Sequence, residues 1–212
     1  MNRLRTDLRK IRNESPLDLA HGIQPISFAV KLLIAYASNE GQTAKIAHRI
    51  EHYLQNRGED VDVADVSAIP PNFSIGSYDG VMVAAPVYAQ KHPYIASQFV
   101  QTHPHSLNTV PSIFVSVSLA AADSKLETQA AAKRLAQTFL ERTGWKPTHT
   151  ECVAGALAYT HYGFFKRMML HWIMRRAGVK TDTSKDYEYT NWKAVEELAE
   201  RFLAMVRDPV HA

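Results

Sequence analysis

Residues Lys31 to Thr43 read KLLIAYASNEGQT, and the stretch divides after Ala37. Lys31 to Ala37 is a short apolar run without polar alternation, which suits a strand buried on both faces. Gln42 to Asn56 carries Ile46, Ile50 and Leu54 at helical spacing and stops at Arg57-Gly58, a helix-ending signal. Between strand and helix lie Ser38, Asn39, Glu40, Gly41, Gln42 and Thr43. In open α/β sheets ligands gather at such carboxyl ends of strands. Backbone N–H groups at the helix start, with the hydroxyls of Ser38 and Thr43, can cradle a phosphate without a cation. Gly41 lets a ligand approach the backbone closely. No Gly-Lys-Ser/Thr follows and G-x-G-x-x-G is absent, so this is neither a Walker loop nor a dinucleotide fingerprint. The simpler alternative is a helix cap by Ser38 or Asn39.

Strand and helix signals keep alternating outward from this stretch. Val61 to Val66 alternates like a strand. Gly80 to Ala85 (GVMVAA) is another buried strand, after a loop with Pro70, Pro71 and Gly76. Ala96 to Thr102 predicts a helix, Ser112 to Ser118 (SIFVSVS) a strand, and Leu126 to Arg142 a long helix stopping at Gly144. His149 to Leu157 predicts a fifth strand and Trp192 to Val206 a closing helix. Alternation of this kind calls for a parallel sheet covered on both faces, a three-layer α/β sandwich. One stretch, 158–186, breaks the alternation and reads as an insertion in a domain spanning 30–208. Residues 1–29, rich in Arg, Asp and Asn and broken by Pro16, Gly22 and Pro25, predict a flexible N-terminal extension. A short helix over Leu4 to Ile11 and a contact with a second copy are its alternatives.

Composition narrows the function classes. A chain of 212 residues, 46% hydrophobic and 21% charged, is one substantial globular domain. The single cysteine, Cys152, excludes an internal disulfide and a Cys-rich zinc site, and predicts a small buried hydrophobe. A formal charge of +3 is too weak to imply nucleic acid. Ten histidines include His92, His103, His105, His149, His161 and His171, but no ligand-spaced set, so no metal is expected and surface histidines are. No G-x-S-x-G elbow suggests a hydrolase. Apolar runs fall short of the roughly 20 residues that span a bilayer, and no signal-peptide core follows the N-terminal arginines. A cytoplasmic location is the expectation.

The S-x-x-G-x-T arrangement after an apolar first strand resembles the phosphate loop of the flavodoxin family. The resemblance implies a flavodoxin-like α/β/α sandwich with a five-stranded parallel sheet in the order 2-1-3-4-5. It also implies non-covalent FMN, with Ser38 to Thr43 on the phosphate. The loop after the third strand (Pro86, Val87, Tyr88, Ala89) and that after the fourth (Ser118, Leu119, Ala120), with Gly155, would flank the flavin. Tyr88 would stack on its ring.

From Leu32 to Val206 the chain is further similar to the bacterial menaquinone-dependent protoporphyrinogen dehydrogenases. Gly41-Gln42-Thr43, Val115 to Leu119, Val153 to Leu157, Thr181-Asp182-Thr183 and Glu188 to Trp192 carry that similarity, together with the insertion. It implies oxidation of protoporphyrinogen IX in haem synthesis, with electrons passing through FMN to a quinone, menaquinone or ubiquinone. Two loops depart from the family: Tyr88 stands where its enzymes commonly have Arg, and Ala120-Ala121-Ala122-Asp123 lacks basic residues. A dicarboxylate porphyrin then has Lys91, His92 and the insertion's cations as its candidate partners. No acid–base residue stands out, because the cofactor carries the redox chemistry.

The insertion has its own chemistry. Between Ala158 and Thr181 lie Lys166, Arg167, Arg175, Arg176 and Lys180, with no Asp or Glu. A helix over Gly163 to Ala177 would gather Phe165, Met168, Met169, Trp172 and Ile173 on one face, with cations on or beside the other. That pattern suits contact with a membrane surface, or packing against the domain or a second subunit in a homo-oligomer. An electron-transfer flavodoxin and an NAD(P)H-dependent quinone reductase are the alternative functions, and a non-enzymatic docking module the third.

Overall fold

A computed structural model describes residues 29–70, 72–157 and 187–208. The predicted helices over Leu4 to Ile11 and Gly163 to Ala177 lie outside the described residues. So do His161 and His171.

The elements in order are β1 (Lys31–Tyr36), α1 (Gln42–Gln55), β2 (Asp60–Asp65), β3 (Gly80–Pro86), α2 (Tyr94–Thr102), α3 (Pro104–Thr109), β4 (Ser112–Ser118), α4 (Leu126–Thr143), β5 (His149–Ala154), β6 (Ala156–Leu157), β7 (Tyr187–Glu188) and α5 (Trp192–Arg207). The first five strands form one parallel sheet in the order β2-β1-β3-β4-β5, as expected. The chain therefore leaves β1 toward one edge and returns past it to β3, which makes the β1/β3 boundary the topological switch point.

Side chains alternate across a strand, and both faces of this sheet are apolar. Leu32, Ile34, Met82, Ala84, Ile113 and Val115 meet Ile46, Ile50 and Leu54 of α1 and Val195, Leu198, Phe202 and Val206 of α5. Leu33, Ala35, Val81, Val83 and Phe114 meet Ala96, Phe99 and Val100 of α2, Leu107 of α3, and Ala136 and Phe139 of α4. Near-continuous apolar strands follow from this double burial. Gly80 permits the closest approach: a Cβ there would stand 2.3 Å from Val206 Cγ2 and 3.2 Å from the Phe202 ring. Glu59, buried at the entry to β2, accepts from the Val30 N–H at 2.9 Å and pairs with Arg207 at the end of α5. On the surface, Arg49–Glu196 joins α1 to α5 and Arg57–Glu200 joins the turn after α1 to α5.

Three expectations are corrected. The fifth strand does not run through Leu157. It ends at Ala154, and beyond Gly155 the pair Ala156–Leu157 joins Tyr187–Glu188 in a separate antiparallel ribbon. Helix α3 adds to the expected elements, with Pro104 as its first residue. Cys152 is half-buried, since β5 is the sheet's edge; burial and the Glu151 charge push its thiol pKa up. His92 is no surface histidine: it packs among Phe114, at 5.2 Å, and Phe139, at 5.0 Å, and bonds Ser116 Oγ at 3.0 Å.

Candidate functional site

The carboxyl ends of β1, β3 and β4 carry the three loops singled out in the sequence, and the parallel register brings them to one edge. On the first, Gly41 takes the left-handed conformation with φ 87° as the N-cap of α1, and a Cβ there would meet nothing within 4 Å. Glycine offers no capping side chain. Instead the Ser38 hydroxyl accepts from the Gly41 N–H at 3.1 Å. The first turn of α1, Gln42 to Lys45, contains no acidic residue, so the positive end of the helix dipole stands without a carboxylate on that turn. Thr43 is buried in this turn, and Asn39 and Glu40 complete the loop.

The second loop is a tight turn. Tyr88 and Lys91 exchange backbone hydrogen bonds of 2.8 and 3.0 Å, with Ala89 and Gln90 between them at φ 46° and 63°. Two successive non-glycine residues at positive φ are strained, and such strain persists only where the surroundings hold it. The backbone N–H groups of Asn39 and Glu40 lie near enough to the Tyr88 hydroxyl to pull its pKa down, which brings this loop against the first. Burial, aided by the Glu40 carboxylate, raises the Tyr88 pKa against those two N–H donors, so the phenol stays neutral.

On the third loop Leu119 is 40% exposed and opens a 3₁₀ turn, Leu119–Ala122, that includes Ala120. Ser118 is 7% exposed, and its Oγ is the one buried side-chain polar atom among the described residues without a hydrogen-bond partner. A buried hydroxyl left unpaired costs about 1–3 kcal/mol, so a ligand that bonds it recovers that energy. Gly155 lies against Ser118, donating to its carbonyl at 3.2 Å; a Cβ on Gly155 would come within 3.2 Å of Val117 Cγ1.

These groups converge on a cavity of about 90 Å³ lined by Glu40, Gln42, Thr43, Pro86, Val87, Tyr88, Val117, Ser118, Leu119, Gly155 and Ala156. Ser38, Asn39, Gly41, Ala89 and Ala120 stand beside it in the same loops without lining it. Among the described residues three concavities are larger, about 620 Å³ between α4 and β5, about 430 Å³ beside Trp145 and about 760 Å³ beside α1 and Trp192. Ala121 borders the first and Gly41 the third, but none of the three is lined by Ser118, whose hydroxyl is unpartnered.

Three contributors escaped sequence reasoning. Val117 and Ala156 are ordinary apolar residues whose position only the register reveals. Thr190 binds Gln42 Nε2 at 2.8 Å across 148 residues, and no local signal announces such a contact. Lys91 and His92, considered for a substrate's carboxylates, do not line the cavity. Burial lowers the His92 pKa to about 4, which leaves that imidazole uncharged near neutrality.

The residues fit a flavin mononucleotide. A helix start without a capping side chain suits its phosphate, and an unpartnered buried hydroxyl suits its polyol chain. Glycine backbone at Gly41 and Gly155 suits close approach. Among the described residues no helix is long and apolar enough to cross a membrane.

Comparison with known proteins agrees with this geometry. A family model described as a flavodoxin domain matches residues 33–184. A protein named protoporphyrinogen IX dehydrogenase [quinone] from Escherichia coli (strain K12) is 33% identical over 181 residues, 85% of this chain and 98% of the relative. A protein of the same name from Leishmania major is 31% identical over 180 residues, 82% of this chain and 75% of that one. Among solved structures, oxidised Flavodoxin 1 from Bacillus cereus matches with a TM-score of 0.51 at 15% identity, over 82% of this chain and 97% of its own. A short-chain flavodoxin associated with a bacterial microcompartment matches with a TM-score of 0.50 at 12% identity, over 84% and 99%. These two show the fold alone. Given the domain match and relatives at this level of identity, the chain belongs to the flavodoxin family, a family built on a flavin-binding fold, alongside the protoporphyrinogen IX dehydrogenases [quinone].

Proposed function

We propose that this protein is an FMN-dependent oxidoreductase that oxidises protoporphyrinogen IX, or a closely similar reduced tetrapyrrole, and delivers the electrons to a membrane quinone, menaquinone or ubiquinone. The observation that carries the proposal is the buried, unpartnered Ser118 hydroxyl in a cavity between the phosphate-type loop and Gly155. Its weight comes from standing in a chain 33% identical to relatives named for that reaction.

FMN supplies the electron transfer between two organic substrates; the protein binds, orients and excludes water. The first turn of α1 and the Thr43 hydroxyl hold the phosphate, with Gly41 setting the turn. Ser118 can donate one hydrogen bond and accept others, which matches the hydroxyl-rich chain of the cofactor. Pro86, Val87, Tyr88 and Leu119, which line the cavity, and Ala89 and Ala120 beside it would wall the ring and keep water from it. Because Tyr88 stays neutral, this wall adds no negative charge beside the flavin. The insertion's cations, Lys166, Arg167, Arg175, Arg176 and Lys180, would serve the membrane contact on the cytoplasmic face, where quinone is met, and the substrate's propionates.

The test is anaerobic oxidation of protoporphyrinogen by FMN-loaded protein, followed by porphyrin fluorescence with and without a menaquinone analogue, against a protein-free control. Quinone-dependent turnover above the control is the expected result. A bound, reducible flavin with no turnover overturns the substrate assignment, and rapid bleaching by NAD(P)H favours a quinone reductase instead.

A further inference from the structure

The long excursion between Leu157 and Tyr187 leaves and rejoins the fold beside the phosphate-type loop, and its return is fastened there. Ala156–Leu157 and Tyr187–Glu188 pair antiparallel. Next, the Tyr189 N–H donates to the Gly155 carbonyl at 3.1 Å. One residue on, the buried Thr190 hydroxyl accepts from Gln42 Nε2 at 2.8 Å and donates to the Ala154 carbonyl at 2.8 Å. Its one proton and one of its lone pairs are thereby committed to fixed partners. Asn191 then caps α5, its Oδ1 accepting from the Ala194 N–H at 3.2 Å, which immobilises the backbone that carries Thr190. A looser strap lies outside: Glu188 accepts from Trp192 Nε1 at 2.7 Å and faces Lys45 Nζ of α1 at 3.7 Å.

Gln42 is the first residue of α1, so this chain of bonds ends on the turn whose N–H groups would meet a phosphate. That turn needs an external anchor. Its N-cap is a glycine in the left-handed region with open space around it, and glycine leaves the backbone there most free to move. A turn held in its binding geometry beforehand binds more tightly, because ordering is not charged against the ligand.

We propose that Thr190 is a positioning residue for the cofactor's phosphate turn: through Gln42 it sets the first turn of α1, so the affinity for FMN depends on how the excursion returns to the domain. The proposal rests on the FMN assignment above. It has a reciprocal consequence, since any contact that holds the excursion in place and tightens FMN is itself tightened by FMN to the same degree.

The test is titration of FMN, read by quenching of its fluorescence, on the parent, Thr190→Val, Thr190→Ser, Gln42→Met and the double variant Gln42→Met/Thr190→Val. Tm without FMN is measured on each. Thr190→Val keeps the shape and removes the hydroxyl; it should raise Kd about 10-fold, equivalent to about 1.4 kcal/mol. Thr190→Ser should restore most of that loss, and adding Gln42→Met to Thr190→Val should cost little more, as expected of two residues acting through one bond. Gln42→Met leaves the Thr190–Ala154 bond in place and tests the same claim if Thr190→Val does not fold. A parent-like Kd with a lowered Tm makes Thr190 a structural pin only and overturns the proposal, as do fully additive losses in the double variant. A parent that binds no FMN overturns the cofactor assignment and this proposal together.

Discussion

Acidification should loosen this fold at one identifiable point. His92 follows the strained Tyr88–Lys91 turn, and its ring lies between Phe114 and Phe139 with Ser116 Oγ as its polar partner. Burial disfavours the charged imidazole and moves its pKa from 6.5 down to about 4. The folded pKa is the lower one, so between these values the unfolded chain binds more protons and stability must fall as pH falls. The full contribution is present above about pH 6.5 and is lost progressively toward pH 4. At pH 5 the unfolded imidazole is almost wholly protonated and the folded one about one-tenth so, a difference of about 2 kcal/mol. For a domain of this size that is a fall of roughly 4–8 °C in Tm. Thermal unfolding of the parent and of His92→Gln across this range isolates the term, because every other titrating group is common to both. The variant should be less stable at neutral pH yet lose less on acidification. Parallel profiles for the two proteins would refute a half-buried, neutral His92.

Two further substitutions probe the packing that carries the site. Gly80→Ala puts a methyl where Val206 Cγ2 stands 2.3 Å away, and overpacking of this kind costs about 1–3 kcal/mol; urea denaturation should show it, with FMN stoichiometry per folded chain unchanged. Glu59→Gln removes the charge that pairs with Arg207 and weakens the acceptor for the Val30 N–H. Arg207 is partly exposed and can rehydrate, so the loss should be about 1–3 kcal/mol in the same assay, below that of a fully buried pair.

The sheet was legible because its signals are local. Each inner strand is six or seven residues long and mostly apolar, and Ile46, Ile50 and Leu54 repeat at the helical period. The Gly58 and Gly144 stops take the left-handed conformation in the structure. The three loops were legible because strand ends are where α/β sheets bind. What stayed hidden is non-local. Apolar alternation continues through Ala156 and Leu157, so nothing in the sequence marks the break at Gly155 or the partner 31 residues later. Polar residues gave still less warning. Thr190 looks like any loop threonine, and His92 like any of ten histidines, until tertiary packing chooses their neighbours. Family resemblance already puts Ser118 beside the flavin, and the structure adds that its hydroxyl is buried without a partner.

The measurement that bears most directly on the account is FMN titration of the parent beside Thr43→Glu. Thr43 is buried in the first turn of α1, where no acidic residue now stands, and the substitution adds a carboxylate where the phosphate is expected. One FMN per chain with quenched fluorescence in the parent, and no binding by a folded Thr43→Glu, is the predicted result. Equal FMN binding by both proteins, or none by the parent, would contradict it.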